Sequence, residues 1–227
     1  MNRVAIMQPT YLPWCGYFGL IDTVDTFVFL DSVQFSKRSW QQRNQIKTPN
    51  GPIWLTIPTI NKGKRDQLIK DTFINNDEKF ASKHIKSITN NYSKAKFFDV
   101  ESEQIFEIIN SNFELIADLN ISLITLICNK LNINTKFIRS SSIKCSLKKD
   151  ELLAFICQEI NATEYISPPG SRNYLESSDA FEKINLPLKY FDFKHPIYNQ
   201  LWGQFLPNMS IVDFLFNCGK DKKNLLT

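Results

Sequence analysis

Histidine is nearly absent from this 227-residue sequence, with only His84 and His195, and the five cysteines (Cys15, Cys128, Cys145, Cys157, Cys218) show no C-x-x-C spacing. That leaves too few ligands for a zinc site and no even set for a disulfide framework, so neither a metal nor a built-in cofactor is expected. Glycine is scarce and scattered, seven residues with no G-x-G-x-x-G or G-x-x-x-x-G-K-[ST] among them, so a dinucleotide fingerprint and an ATP P-loop are unsupported. Tracts of proline, glutamine or serine are missing, which excludes collagen-like and low-complexity chains. Long apolar runs are missing as well. The opening Met1 to Met7 stretch is broken by Gln8 and Pro9, short of an export signal or a membrane span, and a cytoplasmic protein is expected. What is present is apolar: 43% hydrophobic and 13% aromatic residues suffice for a real core at this length and argue against disorder.

Acid is missing from one long stretch. Between Asp31 and Asp66 none of the 23 acidic residues occurs, while seven of the 27 basic ones do: Lys37, Arg38, Arg43, Lys47, Lys62, Lys64 and Arg65. A local positive field in a chain of net charge +4 attracts anions, phosphate or carboxylate foremost. A solvated loop surface is the bland alternative. Nucleic acid is a third possibility, although no RNA- or DNA-binding signature stands in the segment.

Val4-Ala5-Ile6-Met7 reads as a buried strand, Gln8 to Pro13 as a proline-punctuated loop, Gly16 to Thr23 as a helix, and Thr26 to Leu30 as a second strand ending at Asp31. That order opens an α/β unit whose ligand edge lies at the carboxyl ends of the strands, where Gln8 to Tyr11 and Asp31 to Gln34 emerge. Trp40 to Ile46 and Ile53 to Pro58 read as a hairpin around Pro49-Asn50-Gly51-Pro52. Helical spacing then predicts helices over 77–92, 101–116 and 119–131. Alternation returns with strands at 135–138, 164–166 and 186–193 and helices at 148–159 and 210–217, before a frayed basic tail at 220–227. The expectation is one α/β domain over 1–219: a Rossmann-like, mostly parallel sheet with an inserted hairpin and a helical middle section at about 77–131.

Several constellations could carry chemistry. In the rigid aromatic loop from Gln8 to Phe18, the residues Gln8, Thr10, Tyr11 and Tyr17 offer hydrogen bonds beside surfaces on which a base or sugar ring could stack; a tight packed turn is the alternative. Asp31, Gln34, Lys37, Arg43 and Asn44 form a polar cluster suited to a phosphorylated sugar, with Arg43 gripping phosphate and Asp31 a candidate general base. The structural alternative there is an Asp31 to Arg43 ion pair. His84 shares a helical face with Phe80 and Ile88, which favours a core histidine, while its chemistry makes it the second acid/base candidate, with Tyr92 two turns on. Cys15 could serve as an acyl-accepting thiolate or as a small core residue. Ser167-Pro168-Pro169-Gly170-Ser171-Arg172-Asn173-Tyr174 is either an anion-accepting turn or a rigid connection. The aromatic run from Tyr190 to Trp202 reads as core or subunit contact, and whether chains pair is left open.

The stretches Val4 to Pro9 through Gly16-Tyr17-Phe18, Phe27 to Phe35, Arg43-Asn44-Gln45-Ile46, Trp54 to Pro58, Lys83-His84-Ile85 and Ser210 to Gly219 together resemble the WbqC-like proteins associated with bacterial surface polysaccharide gene clusters. They run across nearly the whole chain in family order. The resemblance implies a sugar-modifying enzyme of O-antigen or related glycan assembly, of the acyl- or aminoacyl-transfer kind acting on amino sugars. A weaker likeness to nucleotidyl-transferase-like α/β enzymes stops at their phosphate motif: no histidine stands in the first loop, which counts against nucleotidyl transfer and leaves binding of a nucleotide portion open. The combined expectation is a group-transfer enzyme on a nucleotide-linked or phosphorylated sugar, using an activated acyl or aminoacyl donor. Its pocket is drawn from Gln8, Tyr11, Tyr17, Gln34, Lys37, Arg43 and Asn44, and Asp31 or His84 moves protons. A non-catalytic binding module in a glycan-assembly complex is the alternative, and aminoacyl-tRNA as donor would call for salt-sensitive tRNA binding through 37–65.

Overall fold

The computed structural model describes residues 1–64 and 66–224. Five strands form one parallel sheet: β1 (Arg3–Met7), β2 (Thr26–Phe29), β5 (Lys136–Arg139), β6 (Glu164–Ser167) and β7 (Leu188–Tyr190), in the spatial order β5-β2-β1-β6-β7. In chain order that reads third, second, first, fourth, fifth. The expected Rossmann-like sheet is therefore present.

The central strands are apolar on both faces because both faces are covered, as parallel sheets require. Val4, Ile6 and Val28 pack with Leu153, Ile156, Tyr165 and Phe181 on one side, while Ala5, Phe27 and Phe29 face the larger cluster on the other. Helices α5 (Lys149–Glu159), α6 (Arg172–Leu175) and α7 (Ala180–Lys183) supply the first layer. The second layer comes from α1 (Cys15–Asp22), α2 (Phe80–Tyr92), α3 (Phe98–Ile109), α4 (Ile116–Lys130) and α8 (Ile211–Cys218). Close approach explains the glycines of α1. A Cβ on Gly19 would stand 2.9 Å from the Phe193 ring, and one on Gly16 would overlap the indole of Trp14.

The hairpin is present with a shifted register. Strands β3 (Arg43–Thr48) and β4 (Gly51–Thr56) pair Arg43 with Thr56 and Thr48 with Gly51, the last at φ 98°. Trp40 and Gln41, though strand-like in composition, are engaged elsewhere: the Trp40 carbonyl accepts from Tyr11 N, and the Gln41 carbonyl accepts from Asn120 Nδ2. Beyond β4 the chain pairs Thr59 with Ile74, and Pro58 O accepts from Asn75 N. Two of the helices are shorter than expected, while α4 starts three residues early at Ile116. A left-handed Lys79 (φ 50°) ends a short turn at Asn76–Glu78 and delays α2 to Phe80. Residues 113–115 leave α3 to pair with Phe73 and Ile74. The last strand stops at Tyr190 because Phe191 and Phe193 turn onto the α1 side of the sheet. In the basic tail, Lys222 bonds Asp22 Oδ1 at 3.0 Å, and residues 225–227 lie outside the described residues. Among the described residues no helix is long and apolar enough to cross a membrane.

Candidate functional site

In a sheet of this order the chain leaves β1 toward β2 on one side and β6 toward β7 on the other, so a crevice opens outside the carboxyl ends of the strands. A cleft of about 850 Å³ occupies that place. Gln8 enters it from the end of β1, Leu30, Ser32, Val33 and Gln34 from the end of β2, Cys145 to Lys149 from the approach to α5, and Tyr174 from α6. Asp66 and Leu68 close another wall, held there by an antiparallel bridge between Gln34 and Leu68. Leu30, Val33, Leu152 and Leu153 supply apolar surface; Ser32, Ser146 and Tyr174 add hydroxyls. The charges on its walls are Asp66, Lys148 and Lys149, all exposed, and Lys149 opens α5 in a left-handed conformation (φ 53°). Among the described residues neither lysine enters a salt bridge, whereas Asp66 Oδ1 accepts from Gln34 Nε2 at 3.3 Å. A mostly apolar hollow with a few convergent polar and cationic groups suits a small anionic ligand.

Of the residues singled out from sequence, Gln8 and Gln34 stand on this cleft. Gln8 is held by its neighbours: its Oε1 accepts from Gln41 Nε2 at 2.8 Å and its carbonyl from the Tyr17 hydroxyl at 3.1 Å. Lys37 lines a smaller hollow of about 390 Å³ with Lys64 and Gln67. Tyr11, Tyr17, Asn44, Asp31 and His84 are all buried. Asn44 Nδ2 donates to the carbonyls of Leu12 (2.7 Å) and Tyr11 (3.2 Å), fixing the aromatic loop against the hairpin. The Tyr11 hydroxyl and His84 Nδ1 share a 2.9 Å hydrogen bond, and burial pushes the His84 imidazole down to about 4, so it is neutral near pH 7. Arg43 lays its guanidinium 4.0 Å above the Trp54 ring.

The ion pair weighed between Asp31 and Arg43 is replaced by one with Arg139. Asp31, 0% exposed, accepts from Arg139 Nε (2.6 Å), Ser141 N and Ser141 Oγ (both 2.9 Å) and Ser140 Oγ (3.1 Å). Arg139 bonds Asp118 as well, at 2.6 Å, so the node ties the ends of β2 and β5 to α4. Tyr17, Asp31 and Arg43 thus have separate partners and do not converge. Cys15 is buried, and its thiol is pushed well up by burial first and Asp213 second; Cys145 is the thiol that borders the cleft. In the Ser167 to Tyr174 turn, Ser171 Oγ donates to Pro168 O at 2.7 Å and contacts Ser167 Oγ, while Arg172 lies over Tyr190 at 4.4 Å. Its groups serve the turn itself, and Tyr174 alone of the eight reaches the cleft.

A sequence model of the WbqC-like protein family matches residues 8–225, nearly the whole chain. The chain belongs to that family. This WbqC-like protein is also 37% identical over 228 aligned positions to an uncharacterized protein of Mycobacterium tuberculosis, Rv1507c, with 100% of this chain and 98% of the relative covered. No solved structure matches it.

The stretches that carried the resemblance build the frame of the WbqC-like protein. Ser210 N donates to Gln45 O, Ser210 Oγ to Leu12 O and Ile211 N to Pro13 O, so the start of α8 locks the first loop onto the hairpin. Asp66, Lys148, Lys149, Tyr174 and Cys145 were not among the pocket residues drawn from sequence. The available signal was positional: Lys148-Lys149 stands at the start of the helix that follows the third parallel strand, and Asp66 is the first acid after the basic stretch.

Proposed function

We propose that this WbqC-like protein is a group-transfer enzyme of surface polysaccharide assembly that places an acyl or aminoacyl group on a nucleotide-linked amino sugar held in the cleft. The observation that carries this reading is the cleft itself, at the carboxyl edge of a doubly wound sheet, with two lysines on one wall and a carboxylate among its polar groups. Lys148 and Lys149 receive the phosphates, the leucines take the flat or apolar part of the ligand, and Gln8, Gln34 and Tyr174 meet sugar hydroxyls. In the transfer the acceptor amine attacks the acyl carbonyl carbon of the donor. The new C–N bond forms as the bond from that carbon to the donor's oxygen or sulfur breaks. Asp66 takes the proton from the amine and returns it to the departing group.

Calorimetry with a UDP-linked amino sugar tests the binding half: Lys148→Ala with Lys149→Ala weakens it about 10- to 100-fold, the loss of charge-assisted contacts. Mass spectrometry of that sugar after incubation with a panel of acyl thioester and aminoacyl donors tests the chemistry. A mass gain lost in Asp66→Asn supports transfer. Absence of any sugar binding overturns the reading. A binding-only module is the second reading, favoured by the structural engagement of both Asp31 and His84, and sugar binding without turnover across the donor panel would establish it.

A further inference from the structure

The acid-free segment does not supply the basic residues of the cleft, and it does carry two exposed tryptophans, with Phe73, beyond Asp66, paired to its end. Trp40 is 52% exposed, Trp54 42% and Phe73 40%. The two indoles lie 5.4 Å apart, Arg43 covers Trp54 at 4.0 Å, and Lys64 Nζ stands 5.1 Å over the Phe73 ring. These rings are linked through the backbone, since the chain beyond the strand bearing Trp54 runs on to Ile60, whose N–H bonds Phe73 O. Lys37, Lys64 and Gln67 line the smaller hollow, and Gln67 Oε1 is buried there with no hydrogen-bond partner among the described residues. Lys47 alone of the described cations in this stretch is turned inward, onto Gln200 Oε1 and Gln204 O.

Exposed rings, two of them covered by a cation, next to free-standing positive charge and an unsatisfied acceptor, match a ligand that carries flat rings, backbone phosphates and hydroxyl or amino donors together. We propose that this basic, aromatic face binds single-stranded RNA, with bases stacked at Trp40 and Trp54 and phosphates at Lys37, Arg38 and Lys64. Charge complementarity selects this occupant: a neutral glycan gains nothing from a stretch without a carboxylate, and a duplex hides its rings from the indoles. The face adjoins the cleft through Gln41, whose Nε2 holds Gln8 Oε1 at 2.8 Å. The proposal stands whether or not the transfer chemistry does; where both hold, an aminoacylated RNA end is the donor class that joins them.

The test is fluorescence anisotropy with a 5′-labelled 12-nucleotide single-stranded RNA of mixed sequence, from 50 to 300 mM NaCl. Binding is expected, with a log–log salt slope of about −2, the value for three phosphate contacts on a single strand. Trp40→Ala with Trp54→Ala weakens it about 10-fold or more at unchanged slope, while Lys37→Ala with Lys64→Ala makes the slope shallower by about 1.4. Circular dichroism confirms that these surface variants fold, and their calorimetric affinity for the UDP-linked sugar separates this face from the cleft. No binding at 50 mM salt overturns the proposal. So does equal binding of heparin with no effect of the tryptophan variant, which marks charge alone. Concentration-dependent dimerisation in sedimentation that the tryptophan variant abolishes also overturns it, and makes the face a contact between two copies.

Discussion

Two polar regions lie close to the carboxyl edge of the sheet, and their chemistry differs in one respect. At the Asp31 node and the Tyr11–His84 pair, the Asp31 carboxylate, the Tyr11 hydroxyl and the His84 imidazole are buried and already bonded within the protein. On the cleft walls, Lys148 and Lys149 are exposed and stand outside any salt bridge among the described residues. Satisfied buried groups hold a fold together, whereas unsatisfied groups converging on a hollow are available to a ligand. The difference assigns structural work to Asp31 and His84 and leaves Lys148, Lys149 and Asp66 as the proposed ligand contacts.

The sharpest way to break this division is to remove the node. Asp31→Ala leaves Arg139 Nε and three further donors without their acceptor, and chemical denaturation should show a loss of about 2 to 3 kcal/mol. Retained stability would return Asp31 to the list of available groups.

The pH dependence of folding sharpens the second structural pair. His84 titrates near 6.5 unfolded and about 4 folded, so between those values the unfolded chain binds the extra proton and stability falls as pH falls. The contribution is complete above pH 6.5 and amounts to about 3 kcal/mol, lost progressively toward pH 4. The carboxyl of Asp213, pushed up by burial, acts in the opposite sense at acid pH, so the quantity to read is the difference between wild type and His84→Gln. That difference should grow from pH 4 to pH 7. A flat difference would contradict a neutral, buried imidazole.

The sheet was legible in advance because its central strands are short runs of β-branched and aromatic residues that only a doubly covered parallel sheet can bury. The hairpin register was not, since Trp40 and Gln41 have strand composition and differ from β3 in bonding the first loop, at Tyr11 and Gln8. Nor was the node. Arg139 lies 108 positions from Asp31, and nothing local marks it out over Arg43 as the partner. Gln8 and Gln34 could be placed because they directly follow strands whose direction was known. Lys148 and Lys149 read as ordinary helix-surface lysines until the third strand delivers them to the same edge.

Smaller effects sharpen the comparison from the cleft side. Lys148→Ala with Lys149→Ala should leave the unfolding free energy within about 0.5 kcal/mol of wild type while lowering sugar affinity about 10- to 100-fold, which calorimetry reads. Asp66→Asn should alter stability still less, because an exposed carboxylate with one 3.3 Å contact contributes little to folding. A stability loss of more than 1 kcal/mol in either variant would move those residues into the structural class.

The most direct measurement is a crystal structure of the protein with a UDP-linked amino sugar. Density for the diphosphate beside Lys148 and Lys149, with the sugar between Gln8, Gln34 and Tyr174, is the predicted result. Ligand seated away from that cleft, or an empty cleft at saturating ligand, would contradict it.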